Sequence, residues 1–79
     1  MLEMFKNYLK DEDYYIILYS HYIYIYKYID INKFTDTFIS LKLKKLKVNI
    51  YGIDLLITKL EKDELLIKGI INKVEKIYE

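Results

Sequence analysis

The chain has 79 residues, a net charge of +1, one histidine, no cysteine, and thirteen cations that are all lysine. That is one small domain whose core supplies only about 3–5 kcal/mol, with no disulfide to staple it and too few Cys/His ligands for a structural zinc site. Balanced charge and the absence of arginine argue against a nucleic-acid reader, which wants a clustered basic surface and the bidentate guanidinium; self-association or docking on a partner is the expected support.

Lys, Ile, Tyr and Asn are plentiful while Arg, Ala, Pro and Trp are missing, so part of this composition reflects AT-rich codon usage. No run reaches the roughly 18 apolar residues of a membrane helix. Tyr14 to Ile31 comes nearest, but Ser20, His21, Lys27 and Asp30 interrupt it. The first ten residues lack the basic start and apolar stretch of a signal peptide. The expected location is the cytoplasm, at most at a membrane surface.

Residues 1–13 read as a short helix with Leu2, Phe5 and Leu9 on one face, followed by the acidic turn Asp11-Glu12-Asp13. Residues 14–79 read as a single β domain. Tyr14 to Tyr19 is a strand, and Ser20-His21 connects it to a second, Tyr22 to Tyr28. The second alternates strictly, with Tyr22, Tyr24, Tyr26 and Tyr28 on one side and Ile23 and Ile25 on the other. Ile29 to Lys33 is expected to turn the chain. Phe38 to Leu43 alternates again, Lys44-Lys45 reverse it, and Leu46, Val48 and Ile50 share a face. Gly52 and Asp54 break that strand. Leu55 to Leu60 is another, Glu61 to Asp63 a turn, and Leu65 to Lys68 and Ile70 to Ile77 flank Gly69. Helix competes over Leu55 to Ile77, but frequent β-branched isoleucine and two mid-segment glycines favour strand. Ile50-Tyr-Gly52-Ile faintly echoes Ile67-Lys-Gly69-Ile, and both glycines read as bulges or bends. The predicted fold is mainly β: about six short, mostly antiparallel strands in a small roll or sandwich, with a short N-terminal helix.

Two blocks carry a family resemblance. The first is Ile23-Tyr-Ile25, then Phe34-Thr35-Asp36-Thr37, Ile39 and Leu41. The second is Val48-Asn-Ile50-Tyr-Gly52, then Leu55, Ile57, Glu64, Leu65, Ile67, Gly69 and Ile71. In order and spacing they resemble the YabP/YqfC family of sporulation proteins from spore-forming Gram-positive bacteria, over about Tyr14 to Tyr78. The resemblance implies a non-enzymatic role in spore envelope assembly, in the mother cell and peripheral at the forespore membrane. It also implies pairing with a multi-spanning membrane protein, and it carries over no catalytic residues. The alternative reading is a small β adaptor or structural subunit of an unrelated cytoplasmic complex.

The chemistry-bearing residues point the same way. A nucleophile–base pair would have to join His21 to Ser20, Ser40 or a threonine, and a histidine beside a serine in a strand connection is ordinarily a turn residue. The carboxylates sit mostly in turns beside lysines, and two isolated glycines make no phosphate loop. No catalytic residue, cofactor, metal, small-molecule substrate or nucleic acid is therefore expected. Lys42, Lys44, Lys45 and Lys47 are either the solvated edge of a hairpin, where lysine discourages aggregation, or a surface attracted to anionic lipid. The row Tyr22, Tyr24, Tyr26 and Tyr28 is either a half-buried core face or an interface, with self-association into a homo-oligomer as its expected use. Asp36 is expected to form a turn through its side chain.

Overall fold

The computed structural model describes residues 14–79. Apart from connections and chain ends, they form one antiparallel sheet of six strands: β1 (Tyr15–Tyr19), β2 (Tyr22–Tyr26), β3 (Asp30–Phe34), β4 (Phe38–Leu43), β5 (Leu46–Glu61) and β6 (Glu64–Tyr78). Their order across the sheet is β1-β2-β6-β5-β4-β3. The mainly-β, antiparallel architecture expected from alternation is the one that forms. The helix and acidic turn expected over residues 1–13 lie outside the described residues.

Two strands are long, and one was unexpected. The segments read as separate on either side of Gly52 and Gly69 are continuous, giving β5 its 16 residues and β6 its 15. Ile29 to Lys33, read as a turn from Asp30 and Asn32, mostly forms β3. It is an edge strand paired only to β4, and its register shifts between Ile31 and Lys33. The ladder on β4 outweighs the turn preference, and Asn32 falls at the irregularity. β2 stops at Tyr26 because Lys27 takes a left-handed φ of 70° and turns its N–H to the Asp63 carbonyl.

A straight 16-residue strand would run about 53 Å, whereas the longest dimension of the molecule is 32 Å. The β5–β6 hairpin must therefore bend, and the ladder shows where. Register shifts occur at Tyr51/Gly52 and between Ile53 and Leu56, with Asp54 at φ 55° and Gly69 at φ 150°. The bend exchanges faces. Leu46, Val48 and Ile50 point inward on even numbers before it, and Leu55 does so on an odd number after it. A turn from another strand holds the corner. Gly52 N–H donates to the Thr37 carbonyl at 3.0 Å, and Leu55 N–H donates to that of Asp36 at 2.8 Å. The turn itself is shaped by the Thr35 hydroxyl, which accepts from Phe38 N–H at 2.9 Å and Thr37 N–H at 3.3 Å. Asp36 thus contributes its backbone carbonyl to the corner, while Thr35 supplies the side-chain bonds expected of Asp36.

Bending brings the inner faces of the two halves together. Ile23 and Ile25 of β2, Ile39, Leu41 and Leu43 of β4, Leu46, Val48 and Ile50 of β5, and Leu65 and Ile67 of β6 form one cluster closed by Leu55. β2 and β4 are not neighbours in the sheet, so only the fold-over lets them share a core. Tyr14 packs against its margin, and burial, followed by the neighbouring Tyr78, raises the Tyr14 pKa.

Candidate functional site

The outer face formed by β1, β2 and the adjoining parts of β5 and β6 carries a group of exposed apolar side chains. Strand register sets its rows. Tyr19 lies opposite Tyr22, Tyr22 opposite Lys68, and Lys68 opposite Leu56. The row beside it runs Ile17, Tyr24 and Leu66, and at the bend Ile53 lies opposite Ile70. Tyr19, Ile53, Leu56 and Ile70 are 46%, 49%, 56% and 49% exposed. The Tyr19 and Tyr22 rings stack at 5.6 Å. Beside them opens a recess of about 430 Å³ lined by His21, Asp54, Leu56, Lys68, Gly69 and Ile70. His21 reaches it because the β1–β2 turn is tied down: Gly69 N–H donates to the His21 carbonyl at 2.8 Å. Asp54 reaches it through the bulge.

The four tyrosines named from alternation separate into different roles. Tyr22, Tyr24 and Tyr26 share the outer face, while Ile23 and Ile25 are fully buried on the inner one. Tyr28 lies past the end of β2, packs against the core cluster and donates its hydroxyl to the Glu61 carbonyl at 3.1 Å. Tyr24 is only 2% exposed. The Tyr15 ring lies 5.9 Å away, and the Tyr24 hydroxyl donates to Glu64 Oε1 at 2.6 Å. Burial first, then the Glu64 carboxylate, pushes the Tyr24 pKa well above its ordinary value of 10.

This gives a test with a definite sign. A phenol whose folded pKa is raised contributes stability that is fully present below the unfolded pKa near 10 and is lost as pH rises past it. Tyr24→Phe removes a bond to a charged acceptor and should cost about 1.5 kcal/mol at pH 7. From pH 10 upward the wild type should lose about 1.4 kcal/mol per pH unit more than the variant, so the deficit closes near pH 11. Urea titrations of both proteins at a series of pH values read this directly; parallel curves would show that Tyr24 is not protected in the fold.

The lysines occupy the opposite end. Lys44 and Lys45 form the β4–β5 turn, with Lys45 at φ 63°, and Lys42 stands directly opposite Lys47. The edge-guarding explanation does not hold there. β4 lies between β5 and β3, and this half of β5 lies between β4 and β6, so these strands have no open edge to protect. Among the described residues the ion pairs join Lys59 to Glu61 and Glu64, and Lys73 to Glu75; none takes these four lysines.

Of the partners weighed for His21, Ser20 is its neighbour in the turn, and Ser40 sits nearly buried in β4 on the other half of the sheet. Among the described residues no group of three His, Asp or Glu side chains is placed to hold a metal. Sequence reading missed Ile53, Leu56 and Ile70 as parts of one surface with Tyr19 and Tyr22. The only local signal was the pair Gly52 and Asp54, where the alternation changes phase. No family model, curated protein or solved structure matches this chain.

Proposed function

We propose that this protein is a non-catalytic spore-envelope assembly protein of the YabP/YqfC type, acting in the mother cell by binding copies of itself and a multi-spanning protein of the forespore membrane. Two things support the reading. The residues that carry the resemblance build the core and the corner: Ile23 and Ile25 lie in the core, Asp36 and Thr37 hold the bend, and Gly52 and Gly69 form it. The observation that carries a role in assembly is the apolar outer face around Tyr19, Tyr22, Ile53, Leu56 and Ile70, a kind of surface that marks contact sites in small proteins.

Deleting the gene from a spore-forming host should lower the yield of heat-resistant spores. Reintroduced Leu56→Asp should fail to restore it at normal protein level, and reintroduced His21→Ala should restore it in full. Normal spores from the deletion strain would remove the sporulation role, and failure of His21→Ala with intact folding would replace assembly by chemistry at His21.

A further inference from the structure

The lysine end of the molecule is also an apolar end. Lys47 lies opposite Ile77, and Leu46 opposite Tyr78. Ile29 N–H donates to the Lys42 carbonyl at 2.7 Å, and Glu79 N–H donates to that of Lys45 at 2.9 Å. The β4–β5 turn, the end of β6 and the start of β3 therefore converge at one place. At this end, with Lys42, Lys44, Lys45 and Lys47, stand three exposed apolar side chains, Ile29 at 57%, Ile77 at 40% and Tyr78 at 68%. Ile77 lies on the outer face with Lys47, and Tyr78 on the opposite face with Leu46. Asp30, the cross-strand partner of Lys42, and Glu79 beside Lys45 are the nearby carboxylates, and two against four lysines leave the end net positive.

We propose that this end docks on the surface of an anionic lipid bilayer, with the lysines over the headgroups and Ile29, Ile77 and Tyr78 entering the interface. Three features fit that occupant. Lysine stems run along apolar surface while their ammonium groups stay at the polar level. A tyrosine, with an apolar ring and a polar tip, suits the boundary between headgroups and acyl chains. Lys47 stands between Lys42 and Ile77 in the ladder, so no carboxylate faces it across the sheet, and lipid phosphates supply that counter-charge. A soluble partner would have to supply both an acidic surface and a greasy one in the same arrangement. The inference stands on these residues alone and does not depend on the sporulation reading.

The test is co-sedimentation of the full chain with vesicles of phosphatidylcholine, with and without about 30% phosphatidylglycerol, a content that gives a negative surface potential. Binding is expected to the anionic vesicles only, falling steeply with added salt. The double variant Lys42→Gln/Lys47→Gln separates a lipid role from a structural one. It should melt within a few degrees of the wild type, because the Lys47 repulsion and the Asp30 attraction on Lys42 are lost together, while its partition coefficient falls about 30-fold. Tyr78→Ser should lower partition several-fold at unchanged charge. Competition by free glycerol phosphate would show a phosphate ligand in place of a bilayer and overturn the proposal. Equal binding to neutral vesicles, no binding at low salt, or variants that partition like the wild type would overturn it too.

Discussion

Gly52→Ala should largely unfold this protein. A Cβ built at that position would stand 2.1 Å from the Ile70 carbonyl oxygen, 3.2 Å from its carbon and 2.8 Å from Leu55 Cδ2. The leucine end can swing away, but the carbonyl belongs to the backbone of β6 at the bend. Gly52 is held from the other side as well, by its N–H bond to the Thr37 carbonyl. Relief requires opening the corner on which the two halves close. Overpacking of that kind costs about 3 kcal/mol, which approaches the whole stability of a domain this small. The midpoint should fall by roughly 15–20 °C, at the several degrees per kcal/mol typical of such domains. Gly69→Ala should be milder: its Cβ would meet the Asp54 and Ile53 carbonyls at 2.9 and 3.0 Å, at a φ of 150° that alanine avoids. Circular dichroism melts of both variants decide the matter; an unchanged midpoint for Gly52→Ala would mean that the corner is not closed as described.

Leu56→Asp and Ile70→Asp should each weaken self-association about 30-fold or more, the scale of a buried anchor at an interface, while shifting the melting point by only a few degrees. Both side chains are about half exposed, so the isolated fold gains little from them, and a carboxylate placed there stays in water. In an associated state the same carboxylate is buried without a partner, which is far more costly. Tyr24→Ser makes the contrast, because Tyr24 is already buried and bonded to Glu64; it should lower the melting point more than it weakens association. Sedimentation velocity over a range of concentrations, beside melts of the same samples, separates the two outcomes. A chain that stays monomeric throughout, or aspartate variants that associate like the wild type, would remove this face as the assembly surface.

Much of the fold was legible because strand periodicity is local. Alternation located β1, β2 and β4 to within about two residues and sent Ile23 and Ile25 inward. Polar residues at Ser20-His21, Lys44-Lys45 and Glu61 to Asp63 marked three of the four hairpin turns. Three features were not legible. β3 reads as a turn because Asp30 and Asn32 favour one, and only its ladder with β4 makes it a strand. The tyrosine row reads as uniform, yet Tyr24 is buried, Tyr22 lies on the outer face at the edge of the recess, and Tyr28 leaves the strand altogether. The lysine cluster reads as an edge, and strand order makes it the end of two interior strands.

By itself, then, the sequence determined the class of structure: a cysteine-free, nearly neutral antiparallel β domain with two glycine-marked irregularities. Period-two patterning and turn chemistry act over a few residues and need no distant partner to be read. The tertiary structure alone decided that those irregularities are one corner. Gly52 meets the Ile70 carbonyl, the neighbour of Gly69, and the Thr35–Thr37 turn ties β5 in place. That corner joins β2 and β4 into a single core and gathers Tyr19, Ile53, Leu56 and Ile70, far apart in the chain, on one outer face. The reason is physical: a bulge shifts the phase of every side chain beyond it. Which residues face inward after residue 52 therefore depends on the pairing partner, and no local pattern contains it.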